Sequence, residues 1–356
     1  MAAQNLIPIS ARLQALDLDS DISERTENMG RPQLVDTLEA VKALVDTLVS
    51  LKAASAPLYV DLEGVNLSRH GSISIIQIWL PLLQQAFLVD IHVLGTTAFD
   101  TMNSEGKTLR IILGSERIKK YFFDVRNDAD ALYALFDVRL AGVVDVQLLE
   151  LASRRGPKHV VCGLAACLEH EHALPSSNLH DWQTIKTEVV KMFDPKLGGS
   201  YEVFNIRPLP QILIDYCVGD VKVLPTLSAI YDGRLNYHWS EKARTETEKR
   251  LEESRGPSYK HKGKHKIFGP KNWRFPSKSK PSPTVRSEKS WQTPIAFVPE
   301  GSTTRHKSRA KRPSRPQQAA VQFGTDGSSN RNWAPDDDKD WALCDKDCGW
   351  CGDCAL

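Results

Sequence analysis

Pro57-Leu58-Tyr59-Val60-Asp61-Leu62-Glu63-Gly64 is the stretch on which the reading of this chain turns. It begins at a proline, alternates apolar and other side chains, and stops at a glycine, as a short strand does. Side chains two apart on a strand share a face. Leu58, Val60 and Leu62 therefore point one way, while Asp61 and Glu63 project together the other way. Two carboxylates so placed repel, and a cation between them relieves the repulsion. Hard divalent ions such as Mg²⁺ and Mn²⁺ prefer oxygen ligands. A strand edge whose acids face water is the competing reading of the pair taken alone.

Two later segments offer acids in matching contexts. Ile118 to Asp124 reads as a strand, and Asn127 to Phe136 follows as a helix with Leu132, Leu135 and Phe136 on one side. Asp128 then lies at the start of that helix, where an acid also simply favours the helix dipole. Asp124 and Asp130 are neighbouring acids that compete for any role given to it. In Leu209 to Leu224, Tyr216 and Asp220 are four apart, so on a helix they stack as neighbours. A tyrosine bonded to a carboxylate at a helix surface is the alternative there.

Taken in order, these residues resemble the DEDD superfamily of 3′→5′ exonucleases, in the ribonuclease D and Werner-type branch. Asp61 and Glu63 match the first motif, Asp128 the second, and Tyr216 with Asp220 the third, in the tyrosine form that defines the DEDDy subgroup. Tyr59 to Ile78 is similar to the small eukaryotic exonuclease-domain proteins, and Val144 to Leu149 resembles a family segment between the second and third motifs. The resemblance covers about residues 34 to 235 and implies a ribonuclease H-like fold. It also implies two Mg²⁺ or Mn²⁺ ions held by Asp61, Glu63, Asp128 and Asp220. Two such ions stabilise the attacking and leaving oxygens of an in-line displacement. Tyr216 would orient the attacking water; a phenol with its ordinary pKa of about 10 suits that better than proton abstraction. The expected activity is release of 5′-mononucleotides from the 3′ end of single-stranded RNA or DNA, with RNA put slightly ahead. A nucleic-acid-binding or scaffold protein with an idle exonuclease fold is the alternative.

The rest of the chain fits a domain of this size. Hydrophobic residues make up 41% of 356 residues, enough for a sizeable core. Leu34 to Leu51 has the spacing of an amphipathic helix. Strands are expected at Leu58 to Glu63, Ser72 to Leu80 and Ala86 to Ile91, forming an antiparallel meander. With Ile118 to Asp124 and Val143-Val144 they make a mixed five-stranded sheet flanked by helices, an α/β fold. No apolar run reaches the ~18 residues of a membrane span. Met1 to Gly30 lacks a secretory pattern, and its Asp17, Asp19, Asp21, Glu24 and Glu27 argue against a mitochondrial leader. The expected location is intracellular, in nucleus or cytoplasm.

Composition changes near Glu253. Residues 255 to 316 hold 17 lysines and arginines against two acids, whereas residues 1 to 254 hold 26 bases and 34 acids. The basic part is rich in Ser, Pro and Lys, so it reads as disordered. Its cations and scattered aromatics suit non-specific single-strand binding, with solubility or nuclear import as the alternative. Removing residues after Leu251 is expected to weaken binding and spare the catalytic rate. Cys344, Cys348, Cys351 and Cys354 close the chain; four thiolates suit a structural Zn²⁺, and unliganded reduced thiols are the other reading. The expected division is a mobile leader at 1–33, an exonuclease domain at 34–240, a disordered basic tail at 241–340 and a cysteine-rich motif at 341–356.

Overall fold

Strands and helices alternate around one mixed sheet. The computed structural model describes residues 31–51 and 56–273. The leader before residue 31, the basic tail beyond residue 273 and the four-cysteine motif lie outside the described residues. The described strands are β1 (Gln33–Val35), β2 (Leu58–Glu63), β3 (Ile75–Leu80), β4 (Gln85–Asp90), β5 (Lys120–Phe122) and β6 (Val143–Asp145). The helices are α1 (Leu38–Ser50), α2 (Ile91–Leu94), α3 (Thr97–Asp100), α4 (Leu109–Leu113), α5 (Arg126–Phe136), α6 (Val146–Ser153), α7 (Leu164–Glu171), α8 (Ser176–Phe193), α9 (Gln211–Lys222), α10 (Leu224–Asp232) and α11 (Tyr237–Arg255).

The sheet order is β1-β4-β3-β2-β5-β6. β2, β3 and β4 form the expected antiparallel meander. β5 and β6 run parallel to β2, with helical crossovers between them, as parallel pairing requires. The sheet has six strands where the sequence suggests five, and β1 is the addition. Leu34 and Val35 share helical spacing with Leu38 and Val41, which hides the break between them. The break is set by Thr37, whose side chain accepts from the Ala40 amide at 3.2 Å and starts α1 at Leu38. Gln33 to Val35 stay extended and pair with Phe87 to Val89, covering the open edge of β4.

Each face of β2 has its own cover. Leu58, Val60 and Leu62 pack with Val41, Leu44, Val45 and Leu48 of α1 and with Leu132 of α5. The opposite face carries Tyr59, Asp61 and Glu63. There Ile75 and Leu88 pack with Leu213, Tyr216 and Cys217 of α9. Because β2, β5 and β6 are parallel, their carboxyl ends share one edge of the sheet. Open α/β sheets bind ligands at that edge. Gly64, just past the end of β2, has no room for a side chain: a Cβ there would lie 2.0 Å from the Ser72 carbonyl oxygen.

The folded body extends beyond residue 240, where the sequence reading starts the tail. α11 runs through to Arg255, and residues 256–273 continue as a strap packed on the domain. Ser254, Lys266 and Trp273 are buried, and the Gly269 amide donates to the His159 carbonyl at 2.8 Å. The segment is poor in aliphatics, which made it look unable to fold; its anchors are instead ionic and aromatic. Trp273 meets Trp239 edge-on at 5.4 Å. Arg250 donates to Asp145 at 2.7 Å, Gln147 at 3.1 Å and Asp124 at 3.4 Å. A cut after Leu251 would therefore remove part of the folded body.

Asp124 is wholly buried, which opposes its ionisation, yet the guanidinium groups of Arg126 and Arg250 and the Lys266 ammonium hold its carboxyl down at about 2. Its folded value lies below the unfolded value of about 3.9, so its stabilisation is full above about pH 4 and is lost as the pH falls towards 2. Arg250→Met should lower unfolding free energy by about 3–5 kcal/mol at neutral pH, because it leaves buried carboxylates short of a cation. Urea unfolding should show the gap between wild type and variant narrowing as the pH falls from 4 towards 2. A constant gap across that range would assign the loss to packing alone.

Candidate active site

Asp61 and Glu63 sit in the second half of β2, on the face covered by α9, and Asp220 comes down from α9 itself. One carboxylate oxygen from each of Asp61, Glu63 and Asp220 lies within 4.8 Å of the other two. Glu63 and Asp220 are buried and Asp61 is half-buried. The strand register places Gln77 of β3 directly opposite Asp61, and both polar atoms of its buried amide lack a hydrogen-bond partner.

Lys186 of α8 is part of this site, and no motif in the sequence announces it. Its Nζ donates to Asp220 Oδ2 at 2.6 Å, with both side chains buried. The same ammonium lies 4.8 Å from the Trp182 ring centroid and 5.1 Å from that of Tyr216. Burial pushes the Asp220 carboxyl up, and the Lys186 charge pulls it back. The other oxygen, Oδ1, is buried with no hydrogen-bond partner. Gly219 lets α8 come this close: a Cβ there would meet the Trp182 indole at 3.2 Å. That contact accounts for a glycine inside a helix, where it costs about 1 kcal/mol relative to alanine. The only sequence signal for Lys186 is its i, i+4 spacing from Trp182 on an amphipathic helix.

Tyr216 is buried one helical turn before Asp220, its ring packed near Phe193 and Phe204. The expected helical stacking of Tyr216 and Asp220 is what α9 provides. Asp128 is the third residue of α5 and is buried, but it does not belong to the compact group of three acids. Its neighbours in sequence have other work. Asp130 accepts from the Arg69 amide at 2.8 Å and from Arg69 Nε at 2.6 Å. Asp124 is paired with Arg126 and Arg250. Asp145, in the Val144 to Leu149 segment, caps α6 and accepts from the Asp124 and Val125 amides. These three acids hold the edge of the sheet together.

The cluster fits a hard divalent cation. It offers three carboxylates, and one buried oxygen of Asp220 has no hydrogen bond to give up. An oxygen donor set of this kind suits Mg²⁺ or Mn²⁺. Among the described residues no other group of three acids, histidines or cysteines is gathered closely enough to hold a metal ion. No described helix is long and apolar enough to cross a membrane.

Carboxylates converging at the carboxyl end of an interior strand are the kind of donors that metal-dependent nucleases use to hold their ions. The family model for 3′-5′ exonuclease domains matches residues 32–231, more than half of the chain. The chain belongs to this family and is a 3′→5′ exonuclease acting on nucleic acid. Among solved structures it is similar to Trypanosoma brucei RNase D in complex with GMP, at 23% identity and a TM-score of 0.53, over 68% of this chain and 70% of that one. The same enzyme in complex with RNA U12 matches at 23% identity and a TM-score of 0.53, over 70% of this chain and 80% of that one. The fold is therefore the ribonuclease H-like one. No curated protein matches the sequence.

Mn²⁺ should raise the melting temperature of the wild-type protein, by the equivalent of about 2.7 kcal/mol at a hundredfold excess over Kd. Glu63→Gln and Asp220→Asn should each lose most of that shift. Wild-type melting that ignores Mn²⁺ would contradict the metal-site reading.

Proposed function

We propose that this protein hydrolyses single-stranded nucleic acid from the 3′ end to 5′-mononucleotides, using Asp61, Glu63, Asp220 and Asp128 with two divalent ions. The observation that carries this is the convergence of Asp61, Glu63 and Asp220 beside Tyr216 in a chain of the 3′-5′ exonuclease family. Asp61, Glu63 and Asp220 would hold one ion, with Asp61 shared by a second that Asp128 supports. Held there, divalent ions would supply positive charge for activating a water and for stabilising the oxygens of an in-line displacement.

The remaining work falls to the chain's own side chains. Tyr216 orients the attacking water, one turn away from Asp220. The Phe193 and Phe204 rings around it restrict its rotamers and keep the phenol in place. Lys186 holds Asp220 by one oxygen and so fixes which oxygen faces the cluster. α9 covers the acid face of β2 and limits the water that reaches it.

RNA is the favoured substrate, supported by the RNA complex of the similar Trypanosoma brucei enzyme. Matched, 5′-labelled RNA and DNA strands in one reaction test this. Faster shortening of the RNA is expected, and faster shortening of the DNA would reverse the preference.

Asp61→Asn should abolish cleavage while the protein stays folded, since it removes the shared ligand. Turnover near wild type with Mn²⁺ would sink the assignment. Tyr216→Phe should slow cleavage by about 10²-fold, in the range for loss of one positioned proton-handling group. Metal affinity, read by calorimetry, should be unchanged by that substitution.

A further inference from the structure

The strap at residues 256–273 lies outside the part of the chain that the family model matches. It carries five lysines and two histidines and no acid. Its position is set by two segments that flank the acid site. The first is the loop after β2. Arg69 Nη2 donates to the Ser254 and Gly256 carbonyls, both at 2.8 Å. His261 stacks at a tilt on His70, 5.5 Å between ring centroids. Lys262 Nζ reaches the Asn66 side-chain oxygen at 3.4 Å, and Asn66 is three residues past Glu63.

The second segment is the start of α5. Asn127, next to Asp128, is buried and receives the Tyr259 hydroxyl and, at 2.9 Å, the Lys266 ammonium. Its own amide donates to the His261 carbonyl at 3.2 Å. Arg126 donates to the Lys266 carbonyl at 2.9 Å. The strap thus spans from the end of β2 to the end of β5, along the sheet edge where the acids converge.

The lysines of the strap differ in what they face. Lys266 is buried and committed to Asn127. Lys260 lines a cavity of about 450 Å³ between the strap and α11, together with Glu246 and Glu253. Lys264 is exposed and in no salt bridge among the described residues, and Lys262 is half-buried where it reaches Asn66. A site built of carboxylates repels a polyanion, so a strand entering it needs fixed cations at its rim. Lys262 is held at Asn66, in the loop that follows Glu63, and Lys264 lies two residues further along the same segment, which ionic and aromatic contacts hold to the domain.

We propose that the strap is a substrate rail, on which Lys262 and Lys264 bind backbone phosphates of the single strand that runs into the acid site. This rests on the exonuclease reading and adds where the strand is held. It places part of the substrate-binding charge inside the folded domain, ahead of the basic segment beyond residue 273.

The test compares the full chain with a Lys262→Gln, Lys264→Gln variant and a Lys42→Gln, Lys107→Gln control, which removes two exposed lysines elsewhere. Binding of a labelled single-stranded oligonucleotide is measured without divalent metal, across salt. Each phosphate contact contributes about −0.7 to the salt slope, so the strap variant should be shallower by about 1.4. The ratio of wild-type to variant affinity should then shrink about sevenfold between about 50 and 200 mM salt. Melting temperatures of all three proteins should agree, and the control should keep the wild-type slope. A wild-type slope in the strap variant, or an equal change in the control, would overturn the rail. Cleavage by wild type with Mn²⁺ is scored separately. If wild type binds without cleaving, the exonuclease reading fails while the binding comparison still decides the rail.

Discussion

Three carboxylates within reach of one another in a mostly buried site are the constraint around which the molecule is arranged. At 4.8 Å and an effective dielectric near 20, each charged pair repels by about 3–4 kcal/mol. Three such pairs rival the whole stability of a typical domain, about 5–15 kcal/mol. The fold must therefore bring positive charge to the cluster. Lys186 brings one unit, from a helix whose Trp182 packs closely over Gly219 of α9. Tyr216, Trp182 and the ammonium between them form the wall on that side. A divalent cation at the cluster would supply the rest of the compensation.

The acids of this chain divide by their partners. Asp124, Asp130 and Asp145 each meet an arginine, and each ties distant segments together: α11 to the ends of β5 and β6, and the loop after β2 to α5. Asp220 meets a lysine and keeps one oxygen clear of hydrogen bonds. Breaking an arginine pair should therefore be felt first in stability, whereas altering the cluster should be felt in metal binding and catalysis. The strap belongs to both groups. Its buried Lys266 and Trp273 hold it in place, and its position beside Asn66 and Asn127 brings Lys262 to the loop that follows Glu63.

Much of this was legible in the sequence, for physical reasons that can be named. The period of two in Leu58 to Glu63 gave the face shared by Asp61 and Glu63, because a strand allows no other arrangement. The i, i+4 spacing of Tyr216 and Asp220 placed both on one side of α9. The meander followed from three β-rich runs with short connections. Less legible were features that depend on distant partners. β1 was hidden because Leu34 and Val35 continue a helical spacing across the Thr37 cap. Lys186 was invisible because its role is defined by Asp220, 34 residues away. α11 and the strap read as tail because composition registers missing aliphatics, and their anchors are Arg250, Lys266 and Trp273. Nor could the sequence show that Asp124 and Asp130, on either side of Asp128, pair with Arg126, Arg250 and Arg69.

The central claim is that Asp61, Glu63 and Asp220 form a cation site. Anomalous diffraction from crystals equilibrated with Mn²⁺ tests it most directly. The account predicts manganese peaks at this cluster, with oxygens of all three side chains as ligands and Asp220 Oδ1 turned onto the ion. Saturating Mn²⁺ that left the cluster without an anomalous peak, the Lys186–Asp220 pair unchanged, would contradict it.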